Sequence, residues 1–225
     1  GAMSKTVSGR IEGMAKRFIA GTDAATATPM LRKLWTQGLA FSVDLLGEAC
    51  VSDMEAAKYQ RRYLDLVDNL SDETATWPAN ERLDSDYLGA IPRANVSIKI
   101  SSLYARTDPI DYHDTLDGLA EALRPILQCA AKKNVLINFD MEHHAFKDLT
   151  MDLFQRCCEE VDFPAGLAMQ AYLRSGDDDA RRMIDWAQRT GKQVTVRLVK
   201  GAYWDAETIE AEMHGWPIPV WSRKI

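Results

Sequence analysis

The chain has no run of about 18 apolar residues, the length a membrane-spanning helix needs, and residues 1–20 carry no apolar signal-peptide block. A membrane span and an exported protein are therefore not expected. Cysteine is scarce: Cys50, Cys129, Cys157 and Cys158 are the 4 present, with no Cys-x-x-Cys pair. Adjacent Cys157–Cys158 is a poor zinc or disulfide framework, so all of them read as small apolar residues in a reducing compartment. With 13 Gly and 8 Pro in 225 residues, collagen and low-complexity chains are excluded, and the lack of a long heptad run excludes coiled coil. Positive charge is also short. Lys and Arg number 27 against 33 Asp and Glu, a net of −6, which argues against nucleic acid as a partner because a basic face usually supplies that affinity.

Several chemical signatures are missing too. No Gly-x-Gly-x-x-Gly follows a strand, and there is no phosphate-binding Gly-x-x-x-x-Gly-Lys-Ser/Thr. No serine sits in Gly-x-Ser-x-Gly, and no His-Glu-x-x-His offers a zinc site. Asp140-Met141-Glu142-His143-His144 has metal-ligand residue types, but adjacent histidines on an extended segment point opposite ways. His143 and His144 read as solvated polar residues, and no metal is expected. Asp177-Asp178-Asp179 reads as the solvated start of a helix.

What is present is alternation. Residues 7–20 read as a helix, and Thr28-Pro29 as the cap and first residue of another. Residues 40–44 lean to β structure. Ser52-Asp53-Met54-Glu55 is a capping box that starts a helix reaching about Asp68. Residues 69–93 read as a long polar loop. Strands are expected at 96–100, 135–140, 166–170 and 194–199. Helices lie between them: one from about 116 to 130, with Pro125 as a possible kink, one at 150–160 and one at 177–190. A helical start follows at 205–213. Five β-α units predict a parallel sheet covered by helices. Both a (β/α)8 barrel and an open doubly wound sheet fit, though the missing phosphate-binding motifs weaken the second.

Polar residues mark the strand ends: Asp44 with Glu48, Lys99, Asp140 with Glu142, Gln170, and Arg197 with Lys200. The C-terminal rim of a β/α barrel holds its chemistry, and charge inside a strand is costly unless paired or used. An internal salt bridge among Lys99, Asp140 and Arg197 is the structural alternative. The densest segment is Arg197-Leu198-Val199-Lys200-Gly201-Ala202-Tyr203-Trp204-Asp205. Two cations, a glycine that admits close backbone approach and two aromatics suit an anionic, planar ligand. A strand end followed by a turn with core aromatics suits them as well.

This segment resembles the signature of the proline dehydrogenase domain of bacterial proline-utilisation proteins. Residues 41–49, 96–101, 138–142 and 169–172 resemble the family's first four strand segments in order and spacing. The resemblance implies a distorted (β/α)8 barrel over residues 39–225; ahead of it, residues 4–38 read as an N-terminal helical arm and Gly1-Ala2-Met3 as a tag remnant. About five β-α units are countable where the family has eight, so a truncated or split protein is expected. It also implies FAD, oxidation of L-proline to Δ1-pyrroline-5-carboxylate, and electrons passed to a quinone. A following aldehyde dehydrogenase module, and a cytoplasmic location with peripheral contact at the inner membrane face, complete that picture.

Residue by residue, the resemblance implies that Lys99 lies at the substrate carboxylate and Asp140 near flavin and substrate. Met141 and Gln170 contact flavin, Arg197 sits beside its N5 edge, and Lys200, Gly201 and Ala202 run along the cofactor. Tyr203 lies near the proline ring, and Glu48 is a supporting acid. Two other functions remain open at this point: an inactive docking fragment, and a barrel lyase using Lys99 or Lys200 as a Schiff-base lysine.

Overall fold

The computed structural model describes residues 19–47 and 49–223; the helix expected at 7–20, for all but its last two residues, and Glu48 lie outside the described residues. Helix α1 (Ala24–Thr36) starts earlier than Thr28 because Asp23 and Thr26 form a reciprocal cap. Pro29 therefore falls inside the helix. Ala27, Leu31 and Trp35, at i, i+4 and i+8, are its buried stripe. Strand β1 (Val43–Asp44) is short. Helix α2 (Asp53–Ala75) is capped by the Ser52 hydroxyl, which accepts from the Glu55 N–H.

The expected loop at 69–93 is corrected. Helix α2 runs on to Ala75 because Leu70 and Thr74 continue the buried face of Tyr63, Leu66 and Val67. The polar residues between them occupy its other side. A turn of helix, α3 (Glu81–Asp84), and a hairpin, β2 (Ser85–Asp86) with β3 (Gly89–Ala90), fill the rest. Arg93 ties this connection down. It donates to both Asp84 oxygens at 2.6 and 2.9 Å and to the carbonyls of Thr74 and Trp77.

Alternation then runs as expected: β4 (Ala94–Ile98), α4 (Tyr112–Lys133), β5 (Val135–Phe139), α5 (Lys147–Glu160), β6 (Ala165–Gln170), α6 (Gly176–Thr190), β7 (Val194–Val199) and α7 (Trp204–His214). Helix α4 continues through Pro125 and ends on Asn134, in the left-handed region at φ 51°. Strands β1, β4, β5, β6 and β7 form one parallel sheet in that order. No helix among the described residues is long and apolar enough to cross a membrane.

Side chains alternate across a strand, and here the two faces have opposite character. One face carries Val96 and Ile98, Ile137 and Phe139, Leu167 and Met169, all buried against the helices. Phe139 meets Phe154 of α5 edge-on at 5.4 Å, and Phe154 meets Trp186 of α6 at 5.9 Å, a favourable geometry for aromatic pairs. This packing is the core. The opposite face carries Ser42, Asp44, Asn95, Ser97, Lys99, Asn138, Asp140, Gln170 and Arg197, as the strand register requires. Polar alternation within the strands, not only at their ends, is thus what the sheet presents to the barrel interior.

Candidate active site

The polar face closes into one network across four strands. Asp44 on β1 pairs with the Lys99 ammonium, which lies 3.4 Å from Asp140 Oδ2. Asp140 Oδ1 pairs with the Arg197 guanidinium and accepts from Asn138 Nδ2 at 3.2 Å. Arg197 Nη1 donates to Ser97 Oγ at 3.1 Å, and Ser97 is 3.1 Å from Ser42 Oγ. The parallel ladder brings these groups together: it pairs Asp44 with Ser97 and Ser97 with Asn138, and carries Lys99, Asp140 and Arg197 on the same face of neighbouring strands.

Two carboxylates and two cations balance in charge. The Asp140 side chain, 15% exposed, lies under both cations, while Arg197 is 41% exposed at the open edge. Burial works against the Lys99 charge. The hydrogen bond that Lys99 donates to Asp44 and the charges of Asp44 and Asp140 outweigh it, and Lys99 titrates above the ordinary lysine value. A lysine held protonated between carboxylates is a poor amine nucleophile, which counts against the Schiff-base reading. The salt bridge considered as a structural alternative does form; its place at the strand C-termini makes it a candidate site as well.

Contacts behind the ion network hold the rim loops together. Glu142 is buried and accepts from the Ser101 hydroxyl at 2.6 Å and the Ser101 N–H at 3.1 Å. It therefore pins the loop after β5 to the loop after β4. Gln170 donates to the Glu142 carbonyl at 3.1 Å, and its own Oε1 is buried with no hydrogen-bond partner. Met141, following inward-facing Asp140, is packed in the core and lines an outer groove with Met151 and Met169. It reaches the site through its backbone: its carbonyl accepts from Gln170 Nε2 at 3.4 Å.

After β7 the chain turns at Gly201, whose φ of +110° is one that L side chains rarely adopt. The Tyr172 ring lies against it so closely that a Cβ would sit 2.5 Å from Cε1. Lys200 and Gly201, with Ala171, Tyr172, Trp204, Trp221 and Arg223, line a cleft of about 190 Å³. Ala202 is exposed beside it. Tyr203 packs on His143 at 4.3 Å between ring centres. Burial raises the Tyr203 phenol above its ordinary value, and Glu142, Lys99, Asp140 and Asp44 act on it electrostatically.

Of the expected site residues, Lys99, Asp140 and Arg197 share one network, Gln170 and Met141 meet beside it, and Lys200, Gly201, Ala202 and Tyr203 form the adjacent rim. The sequence reading missed Ser97 and Asn138 as network members, although both sit two residues before a flagged charge, on the same strand face. The histidines lie where the sequence places them, His143 exposed in the loop and His144 at the start of a short helical turn; what the sequence did not disclose is that His143 lies against Tyr203 and that the His144 N–H donates to buried Glu207.

A parallel sheet whose rim gathers charged side chains in this way has the form of a β/α-barrel enzyme site. The family model described as proline dehydrogenase matches residues 27–225. The chain belongs to the proline dehydrogenase family. It is 29% identical to the bifunctional protein PutA of Escherichia coli (strain K12), over 94% of this chain and 16% of that one. Against proline dehydrogenase 1 of Bacillus subtilis (strain 168) it is 27% identical, over 87% of this chain and 54% of the relative. The chain thus spans about half the length of one relative and about a sixth of the other. The crystal structure of proline utilization A from Bdellovibrio bacteriovorus, inactivated by N-propargylglycine, superposes with a TM-score of 0.95 at 38% identity, covering 99% of this chain and 24% of that one. Proline utilization A from Corynebacterium freiburgense gives 0.77 at 28%, over 98% and 22%. The fold is therefore the TIM-like barrel type of these proteins, with five parallel strands among the described residues.

Proposed function

We propose that this chain carries the reacting face of an FAD-dependent enzyme that oxidises L-proline to Δ1-pyrroline-5-carboxylate. The observation that carries the reading is the network Asp44–Lys99–Asp140–Arg197 beside a buried Gln170 oxygen that lacks a donor. A buried acceptor without a partner is costly, and the N–H edge of a flavin ring is a donor of the kind it needs. Gln170, the Met141 backbone and the Lys200-Gly201-Ala202 rim would hold the cofactor, with Trp204 and Trp221 offering flat surface. Bound flavin supplies a two-electron acceptor for hydride.

Oxidation takes a hydride from the ring carbon next to nitrogen, passed to the flavin, and a proton from the nitrogen, released to water at the open edge, leaving a C=N bond. Arg197 sets a fixed cation on the inner face, where accumulating negative charge is stabilised. Lys99 offers its ammonium to the substrate carboxylate, and Tyr203 covers the ring. Asp140 is engaged by Arg197, Lys99 and Asn138, so it orients both cations rather than accepting the proton. Passage of electrons to a quinone, contact with the cytoplasmic face of a membrane and an aldehyde dehydrogenase partner module belong to the same proposal.

The test is an anaerobic visible spectrum before and after L-proline. Flavin bands that bleach are the expected result. Bound flavin that stays oxidised with proline, or protein that takes up no added FAD, would overturn the reading.

A further inference from the structure

The loop after β5 and the start of α7 are joined by contacts that the ion network does not need. The His143 and Tyr203 rings pack at 4.3 Å between centres in a tilted contact, their planes 36° apart. Glu207, four residues on from Tyr203 and 5% exposed, accepts from the His144 N–H at 2.6 Å. The same carboxylate oxygen lies 3.8 Å from His143 Nδ1. A carboxylate this buried is expensive unless hydrogen-bonded, so its position marks a fixed docking point. Its backbone N–H also donates to the Tyr203 carbonyl at 2.8 Å, which makes Tyr203 the residue from which α7 springs.

These contacts have a consequence for Tyr203. It follows Gly201, the most permissive residue for backbone rotation, and Ala202 beside it is exposed. Tyr172, packed on Gly201 and bonded to the Lys200 carbonyl, holds the backbone of that turn rather than the Tyr203 ring. The ring is fixed from the other side of β6, by an imidazole face and a buried acid. The Tyr203 ring is half-buried, and the charges of Glu142, Lys99, Asp140 and Asp44 act on its phenol.

We infer that His143 and Glu207 are positioning residues that clamp Tyr203 over the ion network and so set how tightly a small cyclic carboxylate is held. The inference rests on the proline dehydrogenase reading for the identity of that ligand. His143 supplies the face on which the ring rests. Glu207 fixes the backbone from which the ring projects and holds the histidine loop in place.

The test uses the flavin-loaded protein and a non-oxidisable probe, the five-membered carboxylate with ring oxygen in place of nitrogen. Its Kd is read by calorimetry, and KM and kcat are measured with L-proline. His143→Ala should raise both Kd and KM roughly 3- to 10-fold, the scale of one lost ring pair, with kcat within about twofold. His143→Phe keeps a ring face and should restore Kd. Glu207→Ala should behave as His143→Ala does, and Glu207→Gln, which keeps an oxygen for the His144 N–H, should rescue most of the loss. In a Tyr203→Ala background His143→Ala should add nothing. A His143→Ala loss that is equal in both backgrounds, or no loss at all in protein that binds the probe, overturns the clamp. Thermal unfolding of the same four proteins reads the coupling without any ligand. Non-additive shifts in protein that neither binds the probe nor is reduced by proline overturn the substrate assignment and leave the clamp standing; additive shifts overturn the clamp.

Discussion

Gly201→Ala is the sharpest perturbation that the rim allows. Two separate costs meet there. A φ of +110° strains any L side chain, by roughly 1–3 kcal/mol. The new methyl would also lie 2.5 Å from Tyr172 Cε1 and 2.6 Å from Cδ1 and Cζ. Tyr172 cannot yield freely. It is buried with Leu173 and Val220 in a small satellite core, and its backbone bonds to Lys200 and Trp221. Overpacking of that kind costs about 1–3 kcal/mol, so the substitution should destabilise by about 2–6 kcal/mol. Gly191 is the control. It caps α6 at φ +67° with nothing within 4 Å of an added Cβ, so Gly191→Ala should cost only the backbone part, about 1–2 kcal/mol. Equilibrium unfolding in urea, followed by circular dichroism, measures both. In a Tyr172→Ala background the Gly201→Ala cost should fall to the Gly191 level. Equal costs for Gly201→Ala and Gly191→Ala in the natural background would refute the argument, because the ring contact would then contribute nothing.

Further outcomes follow from the network and the core. Asp140→Asn keeps the shape but removes the charge shared by Lys99 and Arg197; with Arg197 at the open edge, about 1–3 kcal/mol of stability should be lost in thermal or urea unfolding. Asp44→Asn, at a more exposed residue of the same network, should cost no more than about 1 kcal/mol, and a reversed order would contradict the assignment of Asp140 as the hub. Lys99 titrates above its ordinary 10.5 in the folded chain. Its contribution is therefore complete below that value and lost only as pH rises through the higher folded one. Substituting Lys99→Met should accordingly remove the same increment of stability at pH 8 as at pH 9.5. Among the thiols, burial pushes Cys158 up to about 12 and Cys157 higher still. An aromatic disulfide reagent should label half-buried Cys129 first and reach Cys157 and Cys158 only on unfolding; rapid labelling of the adjacent pair would show that α5 is not packed as described.

Legibility differed by element, for physical reasons. Strands β4 to β7 were readable because short apolar runs between helical patterns have few alternatives. Helix α2 was read too short, because Asn69, Ser71 and Asp72 mask the continuing stripe of Leu70 and Thr74. The hairpin β2–β3 gave no strand signal, since its pairing involves only two residues on each side. At the site, Lys99, Asp140 and Arg197 were visible as charges in apolar strands, but whether they would meet depended on register. Register is set by ladder pairing over long sequence separations, and period alone does not state it. Once Ala168 pairs with Arg197 and Ile98 with Phe139, the inward set follows without further freedom: Ser97 must face Arg197, and Asn138 must stand beside Asp140. His143 is exposed, as the sequence suggested, but its ring contact was not legible. Its partner, Tyr203, lies beyond β6, and only the docking of α7 on the β5 loop brings the two rings together. The strand network is thus fixed by the sheet itself, whereas Tyr203 owes its place to Glu207 and one imidazole, which makes it the member of the site most easily displaced by a single substitution far from any reacting atom.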